Sequence, residues 1–244
     1  MRQQDDLMSQ DFLVQKKSND HEKTLKKQRI VRNEFETVGK YDIPLVRKQS
    51  IDLDKIEPWC FTKTKLDDTE NQHKTIHFFT YDWLYETVYS KPEVALEKLD
   101  QYYALMTPDF SCYFGMPKAL QIHSIFRNRW CGAFWQKQGF RVIPTIEWSD
   151  PSSFEFAFDG VEQGAVVAVS TYGREDYERE FLLGYDKMLE VIKPSAVICY
   201  GEPFAKMSGN VRAFSPFNQK ELIDQLGLDE YMRRYSEGKL YPSY

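Results

Sequence analysis

The sequence lacks the short motifs that identify several common reactions. Its 244 residues contain no G-x-x-x-x-G-K-[ST], no G-x-G-x-x-G after a strand, no H-E-x-x-H and no G-x-S-x-G. P-loop nucleotide hydrolysis, Rossmann dinucleotide binding and zincin chemistry therefore lose their usual sequence support. Any reaction has to be inferred from the fold and from the places where polar side chains meet.

The sequence also lacks an excess of positive charge, closely spaced pairs of cysteines and long apolar runs. The net charge of −5 is not that of a protein that binds nucleic acid over its whole surface. The four cysteines form no C-x-x-C pair and the first residues do not resemble a signal peptide, so reduced thiols are expected. No apolar run is long enough to cross a bilayer. These features predict a cytoplasmic protein with no membrane partner.

From residue 76 onwards, short apolar segments alternate with helical patterns. Strands are expected at residues 76–82, 103–106, 140–146, 164–170 and 195–200, with the longest helices at residues 117–138 and 178–192. This alternation is typical of right-handed βαβ units and a parallel sheet. We predict an α/β fold of repeated βα units that forms a small or incomplete (β/α) barrel, because acidic and aromatic residues recur at the strand ends. A doubly wound open sheet is the alternative.

The two ends of the chain differ in composition from its middle. Residues 1–40 form a polar, locally basic arm that is expected to be flexible, and residues 41–244 form a single α/β domain. Its core is expected at residues 76–203 and a helical tail at residues 216–244. Residues 58–61 are expected to pack over the domain as a lid. The arm is either a solvated tail or a contact for phosphate or an acidic partner.

Acidic and hydroxyl side chains follow several of the predicted strands. Because the carboxyl ends of parallel strands meet at one edge of a sheet, these side chains are expected to share a rim. Asp82, Asp109 and Glu202 are the candidate catalytic acids, acting as a general acid and base or binding a divalent cation through oxygen. For any single acid, a cap for the following helix or an ion pair with arginine is the favoured explanation, and only the recurrence of acids at several strand ends makes a site equally plausible. The cofactor is therefore unknown, with a divalent cation as the candidate.

The long helix carries an arginine on its apolar stripe. Arg129 follows Ile122 and Phe126 at helical spacing, and a buried charge needs an acid or several carbonyl acceptors. Asp109 and Asp82 are the candidate partners. The arginine is either part of a buried ion pair that joins helix to sheet or, with Arg127, a clamp for a phosphate or carboxylate group.

The motifs TPDFSCYFGMPKALQIHSIFRNRW, VIPTIEWSD, FEFAFDG and VAVSTYG resemble a family of phage and mobile-element proteins defined only as a domain of unknown function. The resemblance covers about residues 77–201 and implies an accessory protein of a virus or integrative element in the host cytoplasm. The sequence departs from the family pattern at two positions. The pattern has an acid where this chain has Tyr81, and a small polar residue where it has Glu147. The matching polar and aromatic positions are Asp82, Asp109, Ser111, Arg127, Asn128, Arg129, Trp148, Ser149, Ser170 and Thr171.

Two functions are consistent with these patterns. The favoured one is an enzyme that uses Asp82 and Asp109 at the rim and acts on a phosphate-bearing or nucleic-acid-derived substrate, with the remaining matched positions as substrate contacts. The other is a non-catalytic protein that binds a host or mobile-element protein, or DNA, through its aromatic surface and basic arm. DNA binding by the arm alone is the weakest interpretation, because the chain is acidic overall.

Overall fold

The structure is a computed structural model that describes residues 32–214 and residues 227, 229, 230 and 233. Nine strands lie within these residues: β1 Thr37–Val38, β2 Ile43–Pro44, β3 Pro58–Cys60, β4 Thr75–His77, β5 Ala104–Met106, β6 Val142–Ile143, β7 Val166–Ser170, β8 Ala196–Tyr200 and β9 Val211–Phe214. The α-helices there are α1 Asp82–Tyr85, α2 Thr87–Ser90, α3 Pro92–Leu99, α4 Lys118–Lys137 and α5 Glu178–Ile192. Short 3₁₀ helices occupy Leu53–Lys55, Phe61–Lys63, Pro151–Glu155 and Glu175–Tyr177.

Seven parallel strands follow one another in chain order. Strands β3 to β6 form one four-stranded sheet and β7 to β9 a three-stranded sheet. The two are joined just after β6, where the Ile146 N–H donates to the Ala168 carbonyl and the Ala168 N–H donates to the Pro144 carbonyl, each at 2.8 Å. Strands β1 and β2 form a separate antiparallel hairpin. The strand order has no reversal of the kind that defines a doubly wound sheet.

The sheet curves around an apolar interior. Ala104, Met106, Ile143, Ala168 and Ile198 belong to one buried cluster contributed by successive strands. On the far side, the ring of Tyr200 at the end of β8 lies 4.8 Å from His77 at the end of β4. Among the described residues β9 does not pair with β3, so the sheet remains open. The predicted α/β fold is confirmed as an open, incomplete barrel.

Helices cover the outer face of the sheet. Trp130 and Trp135 of α4 pack in one buried cluster with Leu105, while Phe181 and Tyr185 of α5 pack in another with β7 and β8. All five residues of β7 are buried, as expected for a parallel strand covered on both faces. No helix in the described part of the chain is long and apolar enough to cross a membrane.

Both long helices end as their sequences predict. Helix α4 stops before Gly139, whose φ of 92° lies in the left-handed region that glycine favours. Helix α5 has the predicted bounds and stops at Lys193, which precedes Pro194. Gly184 of α5 is needed for close packing, because a Cβ atom there would overlap the indole nitrogen of Trp148. This contact brings α5 close to the segment that follows β6.

Several predicted boundaries differ from the structure. The strand expected at residues 76–82 ends at His77, because the chain turns where the Thr80 N–H donates to the Phe78 carbonyl, and Asp82 is the first residue of α1. Residues 58–60 form edge strand β3 rather than a lid, since their backbone pairs with β4. Strand β1 lies within the predicted arm. The predicted tail at residues 216–244 lies outside the described residues except for residues 227, 229, 230 and 233.

Candidate functional site

Three charged side chains from successive strand ends meet at the rim. Asp109 follows β5, Glu147 follows β6 and Arg174 lies in the turn after β7. Glu147 is only 5% exposed, and its Oε2 accepts a hydrogen bond of 2.5 Å from Nη2 of Arg174. Asp109 is half-buried, with its Oδ1 out of solvent and without a donor among the described residues. Two acids therefore share a site with a single guanidinium group.

The protonation of this site follows from its burial. Burial and the charge of Glu147 raise the pKa of Asp109 well above its ordinary value of 3.8. Arg174 opposes this effect only partly. The negative charge of Glu147 is in turn the main reason that the pKa of Arg174 is raised. Asp109 and Glu147, here called the acid pair, therefore lie together beside one guanidinium group, and Asp109 holds its proton to a higher pH than an ordinary aspartate.

Asp82 joins two loops beside this pair. Its carboxylate accepts hydrogen bonds from the Ser111 hydroxyl at 2.9 Å and the Ser111 N–H at 3.1 Å. The Tyr85 hydroxyl lies 2.6 Å from the Asp109 carbonyl oxygen and 3.1 Å from Oδ1 of Asp82. Asp82 thus connects the start of α1 to the loop between β5 and α4 and positions the backbone of Asp109.

Arg127 lies close to the rim but is already paired. Its Nη1 donates to Oε2 of Glu86 at 2.9 Å, and its Nη2 lies 4.0 Å from Oδ2 of Asp82. The guanidinium group stacks 3.9 Å from the centre of the Phe110 ring. Arg127 is therefore a cation paired with carboxylates at the edge of the site, and a clamp for a phosphate or carboxylate group was one of the two alternatives left open for it.

Arg129 and Asn128 lie in the scaffold beneath the rim. Arg129 is fully buried and donates to the carbonyl oxygens of Thr145, Ala157 and Asp159 at 2.8 to 3.0 Å. The expected partner, Asp82 or Asp109, is not used, because backbone carbonyls satisfy the guanidinium group. Burial lowers the pKa of Arg129 to about 10. Asn128 similarly donates to the carbonyls that end β5 and β6.

The other predicted contacts are divided between the rim and the core. Ser149 donates to Gln121 at 2.6 Å, near the buried thiol of Cys112. Trp148 points away from the rim and packs on Phe181. Ser170 and Thr171 lie at the end of β7, and Glu202 follows β8. The Ser170 hydroxyl accepts a hydrogen bond from the Tyr172 N–H, and the Thr171 hydroxyl donates one to the Glu202 carbonyl. Glu202 is exposed, and its carboxylate is not part of the acid pair.

Sequence reasoning missed part of this site. Glu147 was recognised at a strand end but set aside as a departure from the family pattern, and Arg174 and Tyr85 were not considered. The signal for Arg174 was its place in the turn after β7, at the same rim. Among the described residues no group of three His, Cys, Asp or Glu side chains is arranged to hold a metal ion. The arrangement is suited to proton transfer between carboxyl groups.

Comparisons with known proteins agree with the motifs. Residues 35–218 match the family model described as Domain of unknown function (DUF4417). The chain is 36% identical over 176 residues to the Gene 1 protein of Mycobacterium phage L5, and the aligned residues cover 70% of this chain and 76% of that protein. It is 34% identical over 174 residues to the Gene 1 protein of Mycobacterium phage D29, and the aligned residues cover 70% of this chain and 64% of that protein. No solved structure matches the chain.

Proposed function

The chain belongs to the family of the domain of unknown function DUF4417, and on that premise we propose that it is a phage or mobile-element enzyme that catalyses proton transfer at its sheet rim. The observation that carries the proposal is the placement of half-buried Asp109 against buried Glu147 beside Arg174. A carboxyl group whose pKa is raised well above its ordinary value by burial and a second carboxyl group is typical of catalytic sites. Its place at the carboxyl end of parallel strands supports the same function.

In this proposal Asp109 is the general acid. Its proton passes to a substrate atom that gains electron density as a bond breaks, which leaves Asp109 as a carboxylate. The carboxylate then takes a proton from the water or hydroxyl group that adds to the substrate, so the enzyme returns to its starting state. The negative charge of Glu147 favours the protonated form of Asp109 until the substrate accepts the proton. Asp82 is a positioning residue, because it acts through Ser111 and Tyr85.

The site restricts the substrate classes that the sequence left open. Arg127 and Arg174 are both paired with carboxylates, so neither is free to neutralise a phosphate at the acid pair. We therefore assign the reacting group to an uncharged part of a nucleic-acid-derived substrate, such as its base, with any phosphate outside the rim. A direct substrate contact by Ser111, Ser149 or Ser170 remains part of the proposal.

The test is a product screen with matched variants. Nucleosides, nucleotides and single- and double-stranded oligonucleotides are incubated with the full-length protein, and products are followed by mass spectrometry. Turnover of at least one class is expected, with a loss of at least about a hundredfold in D109N and E147Q. D150N, which removes a nearby carboxylate that caps the 3₁₀ helix at Ser152, should retain wild-type turnover. Equal turnover in D109N and wild type, or no turnover of any compound, would refute the proposal.

A second candidate function is supported by a different observation. Trp83 and Phe114 are 70% and 82% exposed beside the rim, as expected if the protein binds a partner without catalysis. In that case D109N should leave partner binding unchanged. Removal of residues 1–31, which spares β1, should weaken binding if the basic arm contributes to it. An affinity unchanged by that truncation would remove the arm from this function.

A further inference from the structure

Four aromatic side chains project into solvent from the start of helix α1 and from the loop between β5 and α4, the two segments that Asp82 connects. Tyr81 is 61% exposed, Trp83 70%, Tyr113 60% and Phe114 82%. We call these four residues the aromatic platform. Exposed single apolar residues are common on protein surfaces, but four aromatic rings on two adjoining loops form a patch of the kind that marks a binding surface.

The platform is built on a well-connected base. The Ser111 hydroxyl and N–H both donate to Asp82, which ties the loop of Tyr113 and Phe114 to the helix that carries Trp83. Gln121 of α4 donates to the Met116 carbonyl at 2.7 Å and anchors the far end of the same loop. A surface that is ordered before binding loses little conformational entropy when a partner docks.

The charges beside the platform favour a cationic partner. The neighbouring carboxyl groups belong to Asp82, Glu86, Asp109 and Glu147, and the guanidinium groups beside them are those of Arg127 and Arg174. Four carboxyl groups therefore lie against two guanidinium groups. The excess of acidic groups favours a cationic partner.

Aromatic rings of this chain already bind arginine. The guanidinium carbon of Arg32 lies 4.1 Å from the centre of a Trp130 ring and 4.8 Å from that of Tyr89. Arg127 stacks on Phe110 in the same way. Such contacts are favourable for arginine and lysine and are strengthened by nearby carboxylates.

We propose that the aromatic platform is a docking surface for an arginine- and lysine-bearing segment of a protein partner. This goes beyond the proposed catalysis, because it concerns recognition on the outer side of the rim and does not require turnover. Aromatic rings supply the area and the cation contacts, and Asp82 and Glu86 supply the opposite charge. The partner would be brought next to the acid pair.

Fluorescence anisotropy with three labelled probes tests the proposal. The basic probe is the peptide KKSNDHEKTLKKQRIVR, which has the sequence of residues 16–32. The second is the same peptide with every Lys and Arg replaced by Gln, and the third is a ten-nucleotide oligo-dT. The proteins are the full chain and the full chain with K16Q, K17Q, K23Q, K26Q and K27Q, which removes competition by its own basic stretch.

The basic peptide should bind to at least one of these proteins, weaken with added salt and bind more tightly than the other two probes. The W83A/F114A double variant should weaken its binding at least about tenfold. The matched V94A/L183A variant removes side chains that are 70% and 53% exposed on α3 and α5, and it should bind like wild type. Tighter binding of oligo-dT, an equal loss in the matched variant, or no binding of the peptide to either protein would overturn the proposal.

Discussion

The raised pKa of Asp109 makes the stability of the protein depend on pH in a defined way. Unfolded protein releases the Asp109 proton near its ordinary pKa of 3.8, whereas the folded protein retains it to a much higher pH. Between these two pKa values the folded state binds one more proton than the unfolded state. Its free energy of unfolding therefore falls as pH rises, by up to about 1.4 kcal/mol per pH unit. Above the folded pKa this contribution is constant.

The substitution Asp109→Asn removes that proton while keeping the shape of the side chain. The amide does not titrate and keeps a hydrogen-bond donor on the side chain. The stability difference between wild type and D109N should therefore change from about pH 4 upwards, by up to about 1.4 kcal/mol per pH unit. The change is in favour of D109N as pH rises, because only wild type has to bury a second negative charge.

Urea unfolding at intervals of half a pH unit from pH 4 to pH 8 measures this difference. Tryptophan fluorescence reports the transition, since Trp130, Trp135 and Trp148 are buried. D150N provides the control, because Asp150 is at the same rim but outside the acid pair, and its curve should parallel that of wild type. Parallel curves for wild type and D109N would refute the raised pKa of Asp109 and, with it, its assignment as the general acid.

Three further predictions concern the scaffold. Arg129→Met should lower the free energy of unfolding by about 3–5 kcal/mol in urea titrations, because buried carbonyls lose their donors. Gly184→Ala should destabilise by at least about 1–3 kcal/mol and alter the near-ultraviolet circular dichroism of Trp148, whose ring a Cβ atom would overlap. Burial raises the pKa of the Cys131 thiol, so a disulfide reagent should modify half-exposed Cys60 first and Cys131 only after unfolding.

The fold was predictable where one physical signal dominates. The apolar run that includes β7 reads as a buried parallel strand, and the amphipathic pattern of residues 178–192 gives the bounds of α5. The aromatic run after Ile76 led to a strand prediction that was too long, because the strand propensity of these residues extends past His77. The chain turns there, and the Asp82 carboxylate bonds to Ser111, which is 29 residues away. No local pattern contains that interaction.

The candidate site was predictable only as a location. Strand-end reasoning placed Asp82 and Asp109 at one rim, where the structure has them. It did not pair Glu147 with Arg174, because an acid after one strand and a base in the turn after the next share no periodicity. Arg127 and Arg129 show the same limit. Two positions apart on a helix, they point to nearly opposite sides, one toward Asp82 at the rim and one into the scaffold.

Glu147 is both a departure from the expected family pattern and a member of the proposed site. The family pattern predicts a small polar residue there, and such a residue would leave Arg174 without its carboxylate and Asp109 without its acidic neighbour. Burial alone would then raise the pKa of Asp109, while an unopposed Arg174 would lower it. Because the two effects have opposite signs, it is the charge of Glu147 that keeps the pKa of Asp109 raised beside Arg174. The proposed proton transfer therefore depends on an acid at position 147.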